Sequence, residues 1–267
     1  MMNNENSTSK NIRGIIFDYG GTIDTDAVHW AEVIWRAYKE CGVGVSEQNF
    51  RMAYVHGERS LAKFPLIKPD DNFLQLLRIK INIQTSFLVD AHLWDNMEKN
   101  ENKRRNVTED IAVWCYNFVL KNLEISRPVL KDLATYYPLV LVSNFYGNIN
   151  AILKDFKLDF FKDVIESSVV GVRKPDPQIF RLGVEALGMT PQETVVIGDS
   201  FDKDIIPANA IGCNTVWIKG IQWDKNAIYD ENLPNQIITS IKDLKQAINI
   251  INSQFPIPNS QFLIPNS

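Results

Sequence analysis

Cysteine is scarce in this chain: three in 267 residues, Cys41, Cys115 and Cys213, at spacings that form no pattern. This leaves no basis for a disulfide framework or a cysteine zinc site, and fits reduced thiols in a cytoplasmic protein. An excess of one charge is lacking as well. The 28 basic and 32 acidic residues leave a formal net charge of -4, which offers a nucleic acid no electrostatic footing. No apolar run reaches the roughly 20 residues that a membrane-spanning helix needs. Met1 to Lys10 is polar and rich in Asn and Ser, without the apolar stretch of a secretory signal. The expectation is a soluble cytoplasmic protein with no membrane or nucleic-acid partner. Apolar residues, by contrast, make up 45% of the chain, enough for a sizeable core. The length has room for one large domain or two modest ones.

Gly14-Ile15-Ile16-Phe17-Asp18 reads as a buried parallel strand that delivers an aspartate to its C-terminal end, where open α/β sheets place their ligands. After Thr22 the pattern turns helical: Val28, Ala31, Ile34, Trp35 and Tyr38 recur at helical spacing as far as Cys41-Gly42. Ser46 can cap a second helix through Phe50 and Tyr54, and Leu74-Leu77-Ile81 and Ile111-Trp114-Cys115-Phe118 are further helical stripes. Glu98 to Asn106 reads as a solvated turn or helix end, and Trp30, Trp35, Trp94 and Trp114 read as core. Residues 26–123 contain no βαβ pattern and read as an all-helical insertion of domain size.

Strand and helix alternate from there on. Ser126-Arg127-Pro128 is expected to open a helix to about Tyr136, with Pro in its first turn. Strands are expected at Leu139–Ser143, Asp163–Ile165, Thr194–Asp199, Asn214–Ile218 and Ile237-Ile238. Helices are expected at Ile149–Phe156, after Asp176-Pro177, at Lys203–Ile211 and at Leu244–Ile248. This alternation predicts a doubly wound parallel sheet with helices on both faces. Residues 12–25 and 124–250 would form that core. Residues 1–11 and 251–267 read as disordered, the latter holding a tandem echo, Asn252-Ser253-Gln254-Phe255 and Asn259-Ser260-Gln261-Phe262.

Four segments stand in a telling order: Asp18-Tyr19-Gly20-Gly21-Thr22, Val140-Leu141-Val142-Ser143-Asn144, Val172-Arg173-Lys174-Pro175-Asp176, and Val195-Val196-Ile197-Gly198-Asp199-Ser200 with Asp204 beyond. Singly, each is an ordinary turn or cap. Together they resemble the four signature motifs of the haloacid dehalogenase superfamily, mostly magnesium-dependent phosphohydrolases with a Rossmann-like core. The position of the helical insertion resembles the cap of one large branch of that family. The resemblance implies that Asp18 is the nucleophile, forming an aspartyl-phosphate, and that Thr22 helps to position it. It implies that Lys174 balances charge on nucleophile and phosphate, and that Ser143 and Asn144, with Gly21, hold the substrate's phosphate. Two strand-end carboxylates, Asp18 and Asp199, are costly neighbours without a cation between them, and Mg²⁺ suits such hard oxygen donors. The Gly20 carbonyl would complete the protein's share of the metal shell. Asp204 would act through water or by orienting Lys174, with Asp202 a competitor for that role.

The usual first motif is D-x-D-x-T, and here its second aspartate, the general acid, is Gly20. Three readings follow. The first is a phosphatase for a small phosphorylated molecule that has an easy leaving group or borrows its proton from the insertion, where His29, Glu32, His56 and Glu58 are candidates. In this reading His56-Gly57-Glu58-Arg59 is expected to be a loop facing the site. The second is a C–P hydrolase that forms a Schiff base on Lys63 or Lys68. The third is a non-catalytic module that binds Mg²⁺ and phosphate. Arg59, Arg78, Arg104 and Arg105 are candidates for holding a second anionic group.

Overall fold

The computed structural model describes residues 11–94, 101–224 and 226–254. Continuous apolar runs become strands where both faces are covered. Six parallel strands form one sheet: β1 (Gly14–Phe17), β2 (Leu139–Ser143), β3 (Phe161–Glu166), β4 (Thr194–Gly198), β5 (Asn214–Ile218) and β6 (Gln236–Ile238), in the order β3-β2-β1-β4-β5-β6. Every residue of β1, β2 and β4 is buried. Side-chain alternation divides them between the two faces: Ile16, Val140, Val142 and Val196 pack with Ile179 and Phe180, whereas Ile15, Phe17, Leu139 and Leu141 join the larger core beneath the helices that follow β1.

Four helices lie between β1 and β2: α1 (Trp30–Glu40), α2 (Glu47–Lys63), α3 (Phe73–Asp90) and α4 (Glu101–Leu133). His29, Ser46 and Asn72 cap the first three, each accepting a backbone N–H of the first turn, and Gln75 completes a capping box with Asn72. The sheet's remaining helices are α5 (Ile149–Asp155), the one-turn α6 (Ser167–Val170), α7 (Gln178–Leu187), α8 (Ile206–Ala210) and α9 (Leu244–Ser253). Asp176 Oδ1 accepts the Gln178 N–H at the start of α7.

Three expectations need correction. No helix opens at Ser126-Arg127-Pro128: α4 runs for 33 residues straight through Pro128. Ser126, Leu130 and Leu133 are buried on its inner side while Glu124 and Pro128 are exposed, so the proline's lost backbone bond falls where water can replace it. Lys203 does not open a helix but lies inside a π-turn, Phe201–Ile205, and α8 begins at Ile206. Glu101 to Asn106 is the exposed start of α4, the solvated helix end expected there, and residues 98–100 lie outside the described residues. The expected tail from 251 begins inside α9, where Asn252 is buried and its Oδ1 accepts the Ile12 N–H at 2.9 Å. The rest of that tail and residues 1–10 lie outside the described residues. Among the described residues, no helix is long and apolar enough to cross a membrane.

Candidate active site

The strand order reverses at β1 and β4, which pair with each other and end at Asp18 and Asp199. Doubly wound sheets open their ligand crevice at this switch point. The Asp18 N–H donates to Ile197 O at 2.9 Å, which fixes the two strand ends together. Thr22 Oγ1 stands 3.2 Å from Asp18 Oδ2 and 3.2 Å from Asp199 Oδ1, and accepts the Asp199 N–H at 3.0 Å. Its hydroxyl therefore ties both carboxylates to the turn after β1. That turn needs Gly21, at φ +103°, because a Cβ there would collide with the Asp199 carboxylate.

Lys174 comes from the loop between α6 and α7 and is clamped by Asn144: its N–H donates to Asn144 Oδ1 at 2.9 Å, and Asn144 Nδ2 donates back to Lys174 O at 3.0 Å. Its ammonium reaches Asp18 Oδ1 at 2.5 Å and Asp204 Oδ1 at 2.6 Å. Asp204 sits in the π-turn, an irregularity frequent at functional sites, and its Oδ2 accepts the Ser200 N–H at 3.1 Å. One carboxylate oxygen each of Asp18, Asp199 and Asp204 lies within 4.8 Å of the others, and all three residues are buried. Burial, and then the charges of Asp18 and Asp204, hold Asp199 well above the usual carboxylate range. Burial also raises Asp204, to about 6, against the opposing pull of Lys174. Burial alone would lower Lys174, but Asp18 and Asp204 reverse this and raise it to about 12. Among the described residues, no cationic side chain pairs with Asp199.

The site opens into a cavity of about 430 Å³ between the sheet and the inserted helices. Asp18, Gly20, Gly21, Ser143, Asn144 and Lys174 line its floor, and Asp199, Asp202 and Asp204 one side. Thr22 lies just beneath, fully buried. Trp30, Phe73, Phe145 and Trp223 are its aromatic walls.

The insertion departs from expectation in several places. His56-Gly57-Glu58-Arg59 is not a loop but lies in mid-α2, where Gly57 lets Gln84 approach: a Cβ would stand 3.1 Å from Gln84 Cγ. His56 stacks on Phe87 with centroids 4.5 Å apart, outside the cavity, and Glu32 pairs with Arg36 at 2.9 Å. His29 and Glu58 do line the cavity. Burial draws His29 down to about 4 and its Nδ1 accepts the Ala31 N–H, so at neutral pH it holds no spare proton. Lys63 and Lys68 are exposed and lie off the cavity; Lys80 lines it from the inserted helices, as Lys174 and Lys203 do from the sheet side. Arg78, Arg104 and Arg105 are engaged by Glu109, by Asn82 and Ser86, and by Glu101, and Arg59 is exposed. None of the four lines the cavity. Trp30, Trp35, Trp94 and Trp114 pack against the core as expected, and Trp30 lines the cavity as well.

Sequence reading missed Lys80, Tyr146, Trp223 and Asp24. Lys80 carries a usable signal: it falls three residues after Leu77 and four after Leu76, on the apolar stripe of α3. Asp24 is buried beside the turn, where its Oδ1 accepts the Gly21 N–H at 2.7 Å and its Oδ2 the Trp30 indole N–H at 3.0 Å. Burial raises it to about 7.

A family model described as haloacid dehalogenase-like hydrolase matches residues 12–212. Glyceraldehyde 3-phosphate phosphatase of Methanocaldococcus jannaschii is 37% identical over 92 residues, 33% of this chain and 40% of that protein. Phosphoserine phosphatase of Thermus thermophilus is 40% identical over 58 residues, 22% of this chain and 23% of that one. The chain spans less than half the length of these curated relatives. Among solved structures, a dehalogenase is similar with a TM-score of 0.58 at 21% identity, covering 88% of this chain and 96% of that one. A HAD hydrolase from Bacillus subtilis bound to magnesium follows at 0.53 and 16%, covering 90% and 99%. At such identities the likeness concerns the fold.

Proposed function

From the premise that the chain belongs to the haloacid dehalogenase-like hydrolases, we propose that it is a magnesium-dependent phosphatase acting on a small phosphorylated molecule through an aspartyl-phosphate on Asp18. The observation that carries this reading is the single ammonium of Lys174 held 2.5 Å from Asp18 and 2.6 Å from Asp204 at the switch point of the sheet. A nucleophilic carboxylate needs a neighbour that lets a dianionic phosphate approach it, and Lys174 is placed to do so.

The donor set fits a hard cation. Asp199 is a buried carboxylate beside a second one, and among the described residues only the Thr22 hydroxyl bonds its oxygens, an arrangement that is unfavourable unless positive charge joins it. Asp18, Asp199 and the Gly20 carbonyl would hold Mg²⁺. Asp204, both of whose oxygens are engaged by Lys174 and the Ser200 N–H, acts by orienting the lysine. When bound, Mg²⁺ supplies charge to gather the phosphate oxygens beside Asp18. The relatives named as phosphatases support the same reaction class.

In the first half-reaction an Asp18 oxygen attacks phosphorus and the ester oxygen leaves with its electron pair; in the second, a water oxygen attacks the same phosphorus, the P–O bond to Asp18 breaks with its electron pair returning to the carboxylate, and the water's protons leave with the phosphate. Ser143, buried at the end of β2, and the Asn144 backbone form the phosphate cradle, and Gly21, whose N–H is taken by Asp24, shapes the turn beside it. No carboxyl stands at position 20 to protonate the leaving oxygen, a contribution typically of about 10²–10⁴ in rate. The enzyme therefore favours leaving groups that need no proton. The Schiff-base reading loses ground because Lys63 and Lys68 lie off the cavity. Lys80 lies on it, but burial's downward pull there is outweighed by Glu58, Tyr146 and Tyr54, so the ammonium keeps its proton and is no nucleophile.

The test is phosphate release from acetyl phosphate, p-nitrophenyl phosphate and simple alkyl phosphates, with Mg²⁺ and with EDTA. Release from the activated esters that disappears in EDTA is expected, and silence with every ester in Mg²⁺ would sink the proposal. Gly20→Asp belongs in the same panel. A Cβ at 20 meets nothing nearer than Trp30 Nε1 at 3.9 Å, so the first carbon of a side chain is accepted there. It should raise alkyl phosphate turnover by about 10²-fold while changing acetyl phosphate turnover little. Equal gains on both would argue against the missing-acid account.

A further inference from the structure

We propose that Lys80 and Glu58 form the recognition site for the far end of the substrate, and that this end is an uncharged, hydroxyl-bearing group such as a sugar or polyol. The inference rests on the phosphatase reading above.

Glu58 projects from α2, Lys80 from α3, and Tyr146 from the loop after β2, three residues beyond Ser143; all three line the cavity that holds Asp18. Lys80 Nζ lies 2.6 Å from Glu58 Oε1 and donates to the Tyr146 hydroxyl at 3.4 Å, and that hydroxyl donates to Glu58 Oε2 at 3.1 Å. The rings of Tyr54 and Tyr146 flank the ammonium at 5.8 and 5.7 Å. The Lys80 side chain is only 8% exposed, whereas that of Glu58 is 35% exposed.

A buried ion pair is a poor way to stabilise a fold, since an apolar pair of similar volume commonly does as well or better. A pair on the wall of a cavity has another use. An ammonium carries three donors; two of those on Lys80 have protein partners, and the third has none among the described residues. Glu58 keeps acceptor capacity, since each of its oxygens meets one partner here and a carboxylate oxygen can accept more than one. The pair is neutral as a whole, so a carboxylate tail drawn to Lys80 is repelled by Glu58 at nearly the same distance. A lone ammonium tail meets the reverse problem. A hydroxyl avoids both, because it accepts from Lys80 and donates to Glu58 without adding charge. Trp30 and Trp223 line the same cavity and give such a ligand apolar surface beside the pair.

The experiment compares kcat and KM for ribose 5-phosphate and glycerol 3-phosphate with those for 3-phosphoglycerate and phosphoserine, using acetyl phosphate as a reference without a tail. The hydroxyl-bearing esters should show KM values at least about tenfold below 3-phosphoglycerate. Glu58→Gln leaves Lys80 as an unopposed cation and should invert the order: KM for ribose 5-phosphate rises and KM for 3-phosphoglycerate falls, each by about tenfold. Lys80→Met, which adds no charge, should weaken ribose 5-phosphate binding without improving that of 3-phosphoglycerate. A wild-type preference for 3-phosphoglycerate or phosphoserine overturns the proposal. So does a parallel loss on both esters in Glu58→Gln, which is what a merely structural role would give. If acetyl phosphate is not hydrolysed, the phosphatase reading has failed by itself. Calorimetric binding of the same esters, with the same inversion in Glu58→Gln, then still decides whether Lys80 and Glu58 select the tail.

Discussion

Asp18→Asn should abolish phosphate release, by on the order of 10⁴-fold or more, and leave the fold standing. The magnitude follows from losing the atom that forms the covalent bond, as removal of a nucleophile does in other enzymes of this kind. The fold should survive because the asparagine keeps the shape of the side chain and removes one of three crowded negative charges. Lys174 retains Asp204 at 2.6 Å, and Asp199, whose carboxyl is raised in part by Asp18, is relieved. Stability measured by denaturant should therefore stay within about 1 kcal/mol of wild type. Residual turnover within tenfold of wild type would show that Asp18 is not the nucleophile. An unfolded variant would show instead that Asp18 is needed to assemble the site.

Lys174→Met has the opposite profile, losing activity and fold together. It leaves Asp18, Asp199 and Asp204 buried within 4.8 Å with no ammonium among them. Removing one partner of a buried pair typically costs about 3–5 kcal/mol. The loss should be largest in EDTA at neutral pH and should shrink in Mg²⁺, which restores positive charge. It should also shrink in acid, and the sign can be derived. Asp204 at about 6, Asp24 at about 7 and Asp199 well above the ordinary range all bind protons more readily folded than unfolded. The folded state thus gains stability as pH falls through these values toward the ordinary range near 4. Metal-free wild type should already be more stable at pH 5.5 than at pH 8. The variant should show the larger gain, because Lys174 no longer pulls Asp204 down. Lys174 itself is raised to about 12, so its own contribution is complete below the ordinary lysine range and is lost only as pH climbs through 12. Denaturant midpoints from pH 5 to 9, with Mg²⁺ and with EDTA, check all of this. A stability profile flat with pH would contradict it.

The floor of the cavity was legible because its residues sit where chain geometry leaves little choice. Asp18 and Asp199 follow uninterrupted apolar strands whose neighbours in space are fixed by right-handed parallel winding, and Lys174 and Asp204 keep a fixed order after them. The walls were not legible. His56-Gly57 looks like a turn to local propensity, yet packing against Gln84 holds it in a helix. Pro128 looks like a helix start, yet the buried Ser126, Leu130 and Leu133 carry the helix through it. A lysine is presumed solvated, so Lys80 was hidden although it stood on an apolar stripe. Asp24 was hidden by the spacing of the motif itself, which draws attention to position 20. Its carboxylate binds the indole of Trp30, the side chain nearest to the space above Gly20. Trp223 arrives from the loop between β5 and β6, with its ring stacked on Tyr54 at 5.3 Å and Arg51 4.5 Å above it. No local pattern announces such a meeting of distant segments.

The uninterrupted course of α4 bears on how the protein comes apart. One apolar cluster runs from Ile15 and Phe17 in the sheet through Tyr38, Leu77 and Ile111 to Leu130 and Leu133, and a single 33-residue helix threads its length. The buried side chains toward its two ends, Ile111 and Ala112 at one and Leu130 and Leu133 at the other, belong to that one cluster. The helices between β1 and β2 and the sheet beneath them therefore gain and lose their structure in concert, as a single cooperative unit, and a lesion planted in one half is felt as instability in both.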